Sequence, residues 1–172
     1  AQHDATLAYG EAVQRLRNGN VARGAEKLSQ VLNGGGLPAH MLPEAHANMG
    51  TALSQLGRRH EARAQYEHAL RHSPENTLTM YNLGIILADE GRASEAEVVY
   101  RRAVSADPSM AGAYNNLGNL LSQSSRPAEA ELAYRGALAA DPSHAMAHNN
   151  LANVLKREAS DAVRTTAARH YV

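Results

Sequence analysis

The chain of 172 residues contains no cysteine, no phenylalanine and no tryptophan. The missing cysteine excludes disulfides, thiol nucleophiles and cysteine-based zinc sites together. With the two bulkiest apolar aromatics absent, packing must rest on seven tyrosines, aliphatic residues and abundant alanine. Seventeen basic residues balance seventeen acidic ones, so no net field draws the chain toward nucleic acid or an anionic membrane. No run approaches the ~20 apolar residues of a membrane span, so no direct membrane insertion is expected. No basic-then-apolar leader opens the chain, and no Asn-x-Ser/Thr sequon occurs. Together these absences favour the cytoplasm, with the ER lumen as the alternative compartment. Because it opens at Ala1 without methionine, the chain is expected to be a cropped or processed piece.

What is present is repetition. Asn116-Leu117-Gly118 recurs 34 residues earlier as Asn82-Leu83-Gly84, again as Asn48-Met49-Gly50, and 34 residues later as Asn150-Leu151-Ala152. The second half of each copy repeats as well: Ala62, Ala96 and Ala130, then Tyr66, Tyr100 and Tyr134, then Ala69, Ala103 and Ala137, then Pro74, Pro108 and Pro142. A fixed period of this length marks a stacked array of helical hairpins.

These columns resemble the tetratricopeptide repeat (TPR), whose signature places small residues at positions 8, 20 and 27, an aromatic at 24 and proline at 32. The resemblance implies an all-α, right-handed superhelical solenoid of TPR type. Physical chemistry accounts for the same columns independently. Two helices approach closely only where side chains are small, so Gly118 and Ala130 mark a crossing that Leu117, Leu121, Leu132 and Tyr134 are expected to surround. Gly57, Gly91 and Ser125 stand where each first helix must stop, a place that favours the left-handed conformation. Pro127 suits the first turn of a second helix, and Asp107-Pro108 and Asp141-Pro142 end such helices.

One solenoid over residues 1–172 is expected. Residues 5–38 form a degenerate repeat broken at Gly19-Asn20. Residues 43–76, 77–110 and 111–144 are clean copies. Residues 145–172 are a partial repeat whose sentence breaks after Lys156. Ser160 is expected to cap a final helix from Asp161 to about Val172, with either Ala162 or Ala167 and Tyr171 taking the second-helix columns. The i,i+4 pairs Glu67/Arg71, Glu97/Arg101 and Glu131/Arg135 read as a solvated outer face.

The informative face is that of positions 2, 6 and 9 on each first helix, directed away from the partner helix. Position 6 is asparagine in four successive copies, Asn48, Asn82, Asn116 and Asn150, and position 9 adds Asn119 and Asn153. Asparagine inside a helix is disfavoured against alanine by roughly 0.5–0.7 kcal/mol, so such a column asks for a reason. An amide offers a donor and an acceptor, which matches the peptide unit of an extended chain. Tyr81 and Ile85, with Leu78 and Met146, would supply apolar contacts. The competing reading is that the amides bond locally or to one another across repeats.

The stretches NNLGN (115–119) and NNLANVLKRE (149–158) are similar to the asparagine-laddered TPR superhelix of O-linked N-acetylglucosamine transferase, and to the TPR segments of transmembrane O-mannosyltransferases. That resemblance implies that Asn48, Asn82, Asn116 and Asn150 hold the backbone of a protein. The lysine and arginine clamp by which other TPR proteins grip a terminal carboxylate is absent from positions 2, 5 and 6.

Nine histidines raise the question of metal, but His68/His72 and His144/His148 each offer two ligands without a third, and His46 and His148 at position 4 read as half-buried packing. No nucleophile, paired carboxylate or phosphate loop is present, so neither catalysis nor a cofactor is expected. The functional expectation is a protein-interaction module that takes an extended polypeptide in its concave groove through Asn48, Asn82, Asn116, Asn150, Asn119, Asn153, Tyr81 and Ile85. Alternatives are a substrate-recognition arm of a protein O-glycosyltransferase, and a scaffold subunit packed into a larger assembly through outer residues such as Arg63, Arg101 and Arg135.

Overall fold

The computed structural model describes residues 2–170, the last ten of them by backbone alone. The described residues are helical throughout, with no strand among them. They divide into two compact units, Ala1–Gly91 and Arg92–Val172.

In the first unit, α1 (Gln2–Arg17) pairs with α2 (Val21–Gly34), and α3 (Leu42–Gln55) pairs with α4 (Arg59–His72). A short 3₁₀ turn, Ala39–Met41, leads into α3, and α5 (Thr77–Asp89) packs on α4. The second unit holds α6 (Ala93–Ala106), the hairpin of α7 (Ala111–Gln123) with α8 (Pro127–Ala140), and α9 (Ala145–His170). There α6 packs on α7, and α9 on both α8 and α7.

The small-residue columns perform the close approach. A Cβ built on Gly50 would lie 2.7 Å from the Tyr66 ring, and one on Gly118 only 2.5 Å from Tyr134 Cε1. Ala62, Ala69, Ala130 and Ala137 are at most 1% exposed, and Tyr66 and Tyr134 each 2%. Burying one such large side chain contributes about 1.5–3 kcal/mol, so the tyrosines carry much of each hairpin.

Hairpin turns follow the expected chemistry. Gly19, Gly57 and Gly91 have φ between 74° and 79°, and Ser125 takes the same left-handed conformation at 58°. After α6 and α8, Asp107 and Asp141 are extended, and each carboxylate accepts from the backbone N–H and hydroxyl of the serine two residues on. Those bonds hold both aspartates below the usual carboxylate range.

Three expectations need correction. Helix α9 runs from Ala145 to His170 without a break. Between Lys156 and Asp161 there is neither glycine nor proline, and the Ser160 hydroxyl donates back to the Lys156 carbonyl at 2.9 Å instead of capping a new helix. The side chains of Ala162 and Ala167, and Tyr171 and Val172, lie outside the described residues. Leu132 is 70% exposed, on the outward face of α8, and takes no part in the crossing. His148 is exposed, its Nε2 2.8 Å from the Pro142 carbonyl, whereas His46 is half-buried as expected.

Candidate functional site

Helical periodicity places the position-6 asparagines along the first helix of each copy. All four, Asn48, Asn82, Asn116 and Asn150, are half-buried rather than exposed. At that depth Asn48 and Asn116 reach tyrosine hydroxyls and Asn150 reaches other amides.

In the first unit the Asn48 Nδ2 donates to the Tyr9 hydroxyl at 2.9 Å, joining α3 to α1. Tyr9 is 5% exposed, and its pKa is pushed up to about 12, chiefly by burial and next by the charge of Glu44. Thr51, at position 9, accepts from the Tyr66 hydroxyl at 3.2 Å, and burial raises the Tyr66 pKa. Tyr81, Asn82 and Ile85 lie half-buried on α5, and Leu78 is 62% exposed. Nearby, His46 stacks on His68 with ring centroids 5.2 Å apart while its Nδ1 lies 2.7 Å from Gln65 Oε1. Arg63 pairs with both Glu67 and Glu90, so the expected Glu67/Arg71 pairing gives way to one with the residue preceding Glu67 by a turn.

In the second unit the amides form a connected thread. The Tyr134 hydroxyl donates to Asn119 Oδ1 at 2.8 Å. Asn150 Nδ2 donates to that same oxygen at 2.9 Å and to Asn115 Oδ1 at 3.1 Å. Asn115, only 2% exposed, donates to Asn116 Oδ1, and Asn116 Nδ2 to the Tyr100 hydroxyl, both at 3.5 Å. A buried polar group needs such partners, since leaving one unsatisfied costs about 1–3 kcal/mol. The thread therefore ties α6, α7, α8 and α9 to one another.

Three members of this thread, Asn119, Tyr134 and Asn150, line a cavity of about 470 Å³ bounded by α7, α8 and α9. Asn119, Asn150 and Asn153 line it, with Ser122 and Gln123 on α7, Tyr134 on α8, and Arg157 and Glu158 on α9. Asn153 is exposed there and Asn150 half-buried. The wall is thus rich in groups that can both donate and accept.

Three of the expected residues, Asn119, Asn150 and Asn153, share this cavity. Asn116 joins them through Asn115, while Asn48 is engaged within the first unit. Sequence reasoning passed over the tyrosine hydroxyls. Their signal was a polar residue fifteen positions before a position-24 tyrosine, Thr51 before Tyr66 and Asn119 before Tyr134. Among the described residues no group of three potential ligands is placed to hold a metal ion, and no helix is long and apolar enough to cross a membrane.

Helical hairpins at a 34-residue period, closed by small-residue crossings, define a repeat protein of the helical-hairpin class. The sequence profile of the tetratricopeptide repeat matches residues 47–111 and 115–171, more than half of the chain, which therefore belongs to that family. No curated protein matches the sequence. Among solved structures it is similar to MamA residues 41-end from Desulfovibrio magneticus RS-1, with 24% identity over 97% of this chain and 90% of that one and a TM-score of 0.79. YrrB, described as a TPR protein with an unusual peptide-binding site, is 21% identical over 84% of this chain and 73% of its own, with a TM-score of 0.76. The first TPR of Spaghetti (RPAP3), solved bound to the HSP90 peptide SRMEEVD, is 21% identical over 69% and 94%, with a TM-score of 0.66.

Proposed function

We propose that this chain is a protein-interaction module that holds an extended polypeptide segment through asparagine amides. The observation that carries the reading is the amide-lined cavity of the second unit, where Asn119, Asn150 and Asn153 meet around about 470 Å³. An extended backbone presents alternating N–H and C=O groups, and each matched bond contributes about 0.5–1.5 kcal/mol. Both the peptide complex of the RPAP3 repeat and the description of YrrB support it. Asn150 acts in two ways in this reading: its Nδ2 braces α9 against α7, and the amide face left to the cavity meets the guest.

The test begins from peptides of about a dozen residues selected from a random displayed library on the full chain. Asn153→Ala and Asn119→Ala, checked for unchanged helicity by circular dichroism, are expected to weaken the selected peptides by about tenfold, the equivalent of 1.4 kcal/mol. Peptides that bind these variants as well as the parent would sink the reading.

The paired asparagines of Asn115-Asn116 and Asn149-Asn150 favour a second, narrower reading, that the module presents protein substrates to an O-glycosyltransferase. A glycosyl-transfer assay on the complete protein, with and without Asn116→Ala and Asn150→Ala, decides it: no transfer to any protein acceptor removes it.

A further inference from the structure

We propose that a groove of the first unit, between α2, α3 and α4, is a docking site for an arginine side chain of a partner protein. Its volume is about 490 Å³. Met49, Leu53 and Leu56 give it an apolar floor, and Glu26, Arg58 and Glu61 carry charge along its walls. Met49 and Leu53 are buried, whereas Leu56 is 39% exposed, so apolar surface stays open to an incoming side chain. All of these residues belong to one compact unit.

The chemistry of the occupant follows from the equivalent groove of the second unit. There α6, α7 and α8 enclose about 300 Å³ over Leu117 and Leu121, which stand two repeats after Met49 and Leu53. Arg101 and Glu129 line it, and with Glu97 and Arg126 they close a ring of two cations and two carboxylates with contacts of 2.7 to 2.9 Å. The first groove holds three charges of such a set. Arg58 bonds Glu61 twice, at 2.6 and 2.7 Å, as Arg126 bonds Glu129 two repeats later. Glu26 brings the second carboxylate, one residue beyond Ala25, which takes the place of Glu97. The second cation is lacking. Ser29 and Arg101 each stand five residues after the small residue of their own helix, Gly24 and Ala96, so a half-buried hydroxyl replaces the guanidinium. Glu129 receives two arginines, whereas Glu61 receives one. Glu26 is exposed and makes no ion pair among the described residues. Neighbouring cations do not make up the deficit: Lys27 bonds Glu11, and Arg23 pairs with neither glutamate and does not line the groove. An arginine from outside meets both conditions. Its apolar stem lies along the floor, and its planar guanidinium gives Glu61 the second partner that Arg101 gives Glu129.

The probe is a terminally blocked peptide with one arginine between pairs of glycines, titrated into the full chain labelled with carbon-13 at its methionine methyl groups. The Met49 methyl, on the floor of the groove, is expected to shift saturably. A peptide with citrulline in place of arginine keeps the shape without the charge and binds about tenfold more weakly. Glu26→Gln and Glu61→Gln, checked for unchanged helicity by circular dichroism, each weaken the arginine peptide about fivefold. Ser29→Arg sets the chain's own guanidinium where Arg101 stands in the sister groove and abolishes the response. A Met49 methyl that does not move, a citrulline peptide that moves it as readily, indifference to both glutamate changes, or a response that survives Ser29→Arg overturns the proposal. So does a chain that sediments as a dimer and becomes monomeric with Glu61→Gln, because the arginine is then that of a second copy. Asn119→Ala and Asn153→Ala, which probe the amide-lined cavity, leave this titration unchanged, so the two readings fail separately.

Discussion

Gly118 and Tyr134 fit one another so closely that a single methyl group on Gly118 would sit 2.5 Å from Cε1 of the ring, well inside van der Waals contact. Tyr134 is 2% exposed and its hydroxyl is bonded to Asn119 Oδ1, so moving the ring aside costs that bond. Gly118→Ala regains about 1 kcal/mol of helix propensity but overpacks the crossing by roughly 1–3 kcal/mol, so a net loss of stability is expected. Urea unfolding measures it, and the penalty should vanish in a Tyr134→Leu background, giving a coupled cycle. Gly10→Ala is the control. Its Cβ would meet nothing within 4 Å, and the substitution should stabilise by about 0.5–1 kcal/mol.

Ser125 occupies a left-handed conformation that its sister copies give to glycine. A side chain there costs about 1 kcal/mol. Ser125→Gly is therefore expected to raise the unfolding free energy by about that amount, and Gly57→Ser to lower it. An unchanged urea midpoint for Ser125→Gly would show that the serine finds compensation at this turn.

Arg101 and Arg126 each bond both Glu97 and Glu129, at 2.7 to 2.9 Å, closing a ring of four charges between α6 and the start of α8. The bond from Arg126 is the largest influence holding both glutamates below their ordinary value. A depressed carboxylate stabilises the fold above its unfolded pKa, about 4.3 for glutamate, and that contribution disappears as pH falls through the lower folded value. Thermal unfolding followed from pH 7 downward should show a fall below about pH 4 that is smaller in Glu97→Gln. Asp107 and Asp141 titrate in the same direction, so the difference between parent and variant is the diagnostic quantity.

Tyr9 supplies the alkaline counterpart. Its pKa is raised to about 12, so the unfolded chain loses this proton first, near pH 10. Stability is fully present below about pH 10 and declines as pH rises through the folded value. Glu44→Gln should bring Tyr9 ionisation, read by tyrosinate absorbance, to lower pH, because the charge of Glu44 opposes a second negative group. Tyr9→Phe should remove its share of the alkaline loss. A Tyr9 that titrates alike with and without the Glu44 charge would contradict this account.

Much of the hairpin architecture was legible because each small column is a steric requirement. Gly50, Gly118, Ala62 and Ala130 can hardly be anything larger where two helices touch, and Gly57 and Gly91 are written where the chain must take positive φ. The asparagine column was legible as a column but not as a network. Whether Asn150 faces a guest or Asn115 depends on how far one helix stands from the next, a distance that no residue type encodes. The uninterrupted α9 was missed for a related reason. Loss of the repeat pattern after Lys156 looked like a boundary, yet alanine-rich sequence without glycine or proline simply stays helical when no crossing demands a turn. Leu132 misled in the opposite way, since leucine carries no label for the side it faces.

The hydroxyl partners of the tyrosines mean that these look-alike modules are not spare parts for one another. Tyr134 leans on Asn119 and Tyr66 on Thr51, but the copy between them carries Ile85 at that place. Transplanting the α5 sequence in front of α8 would set an isoleucine where Tyr134 requires an acceptor and take away the amide oxygen to which its hydroxyl donates. Anyone shortening, reordering or grafting this chain should therefore cut so that each tyrosine travels with the helix that answers it.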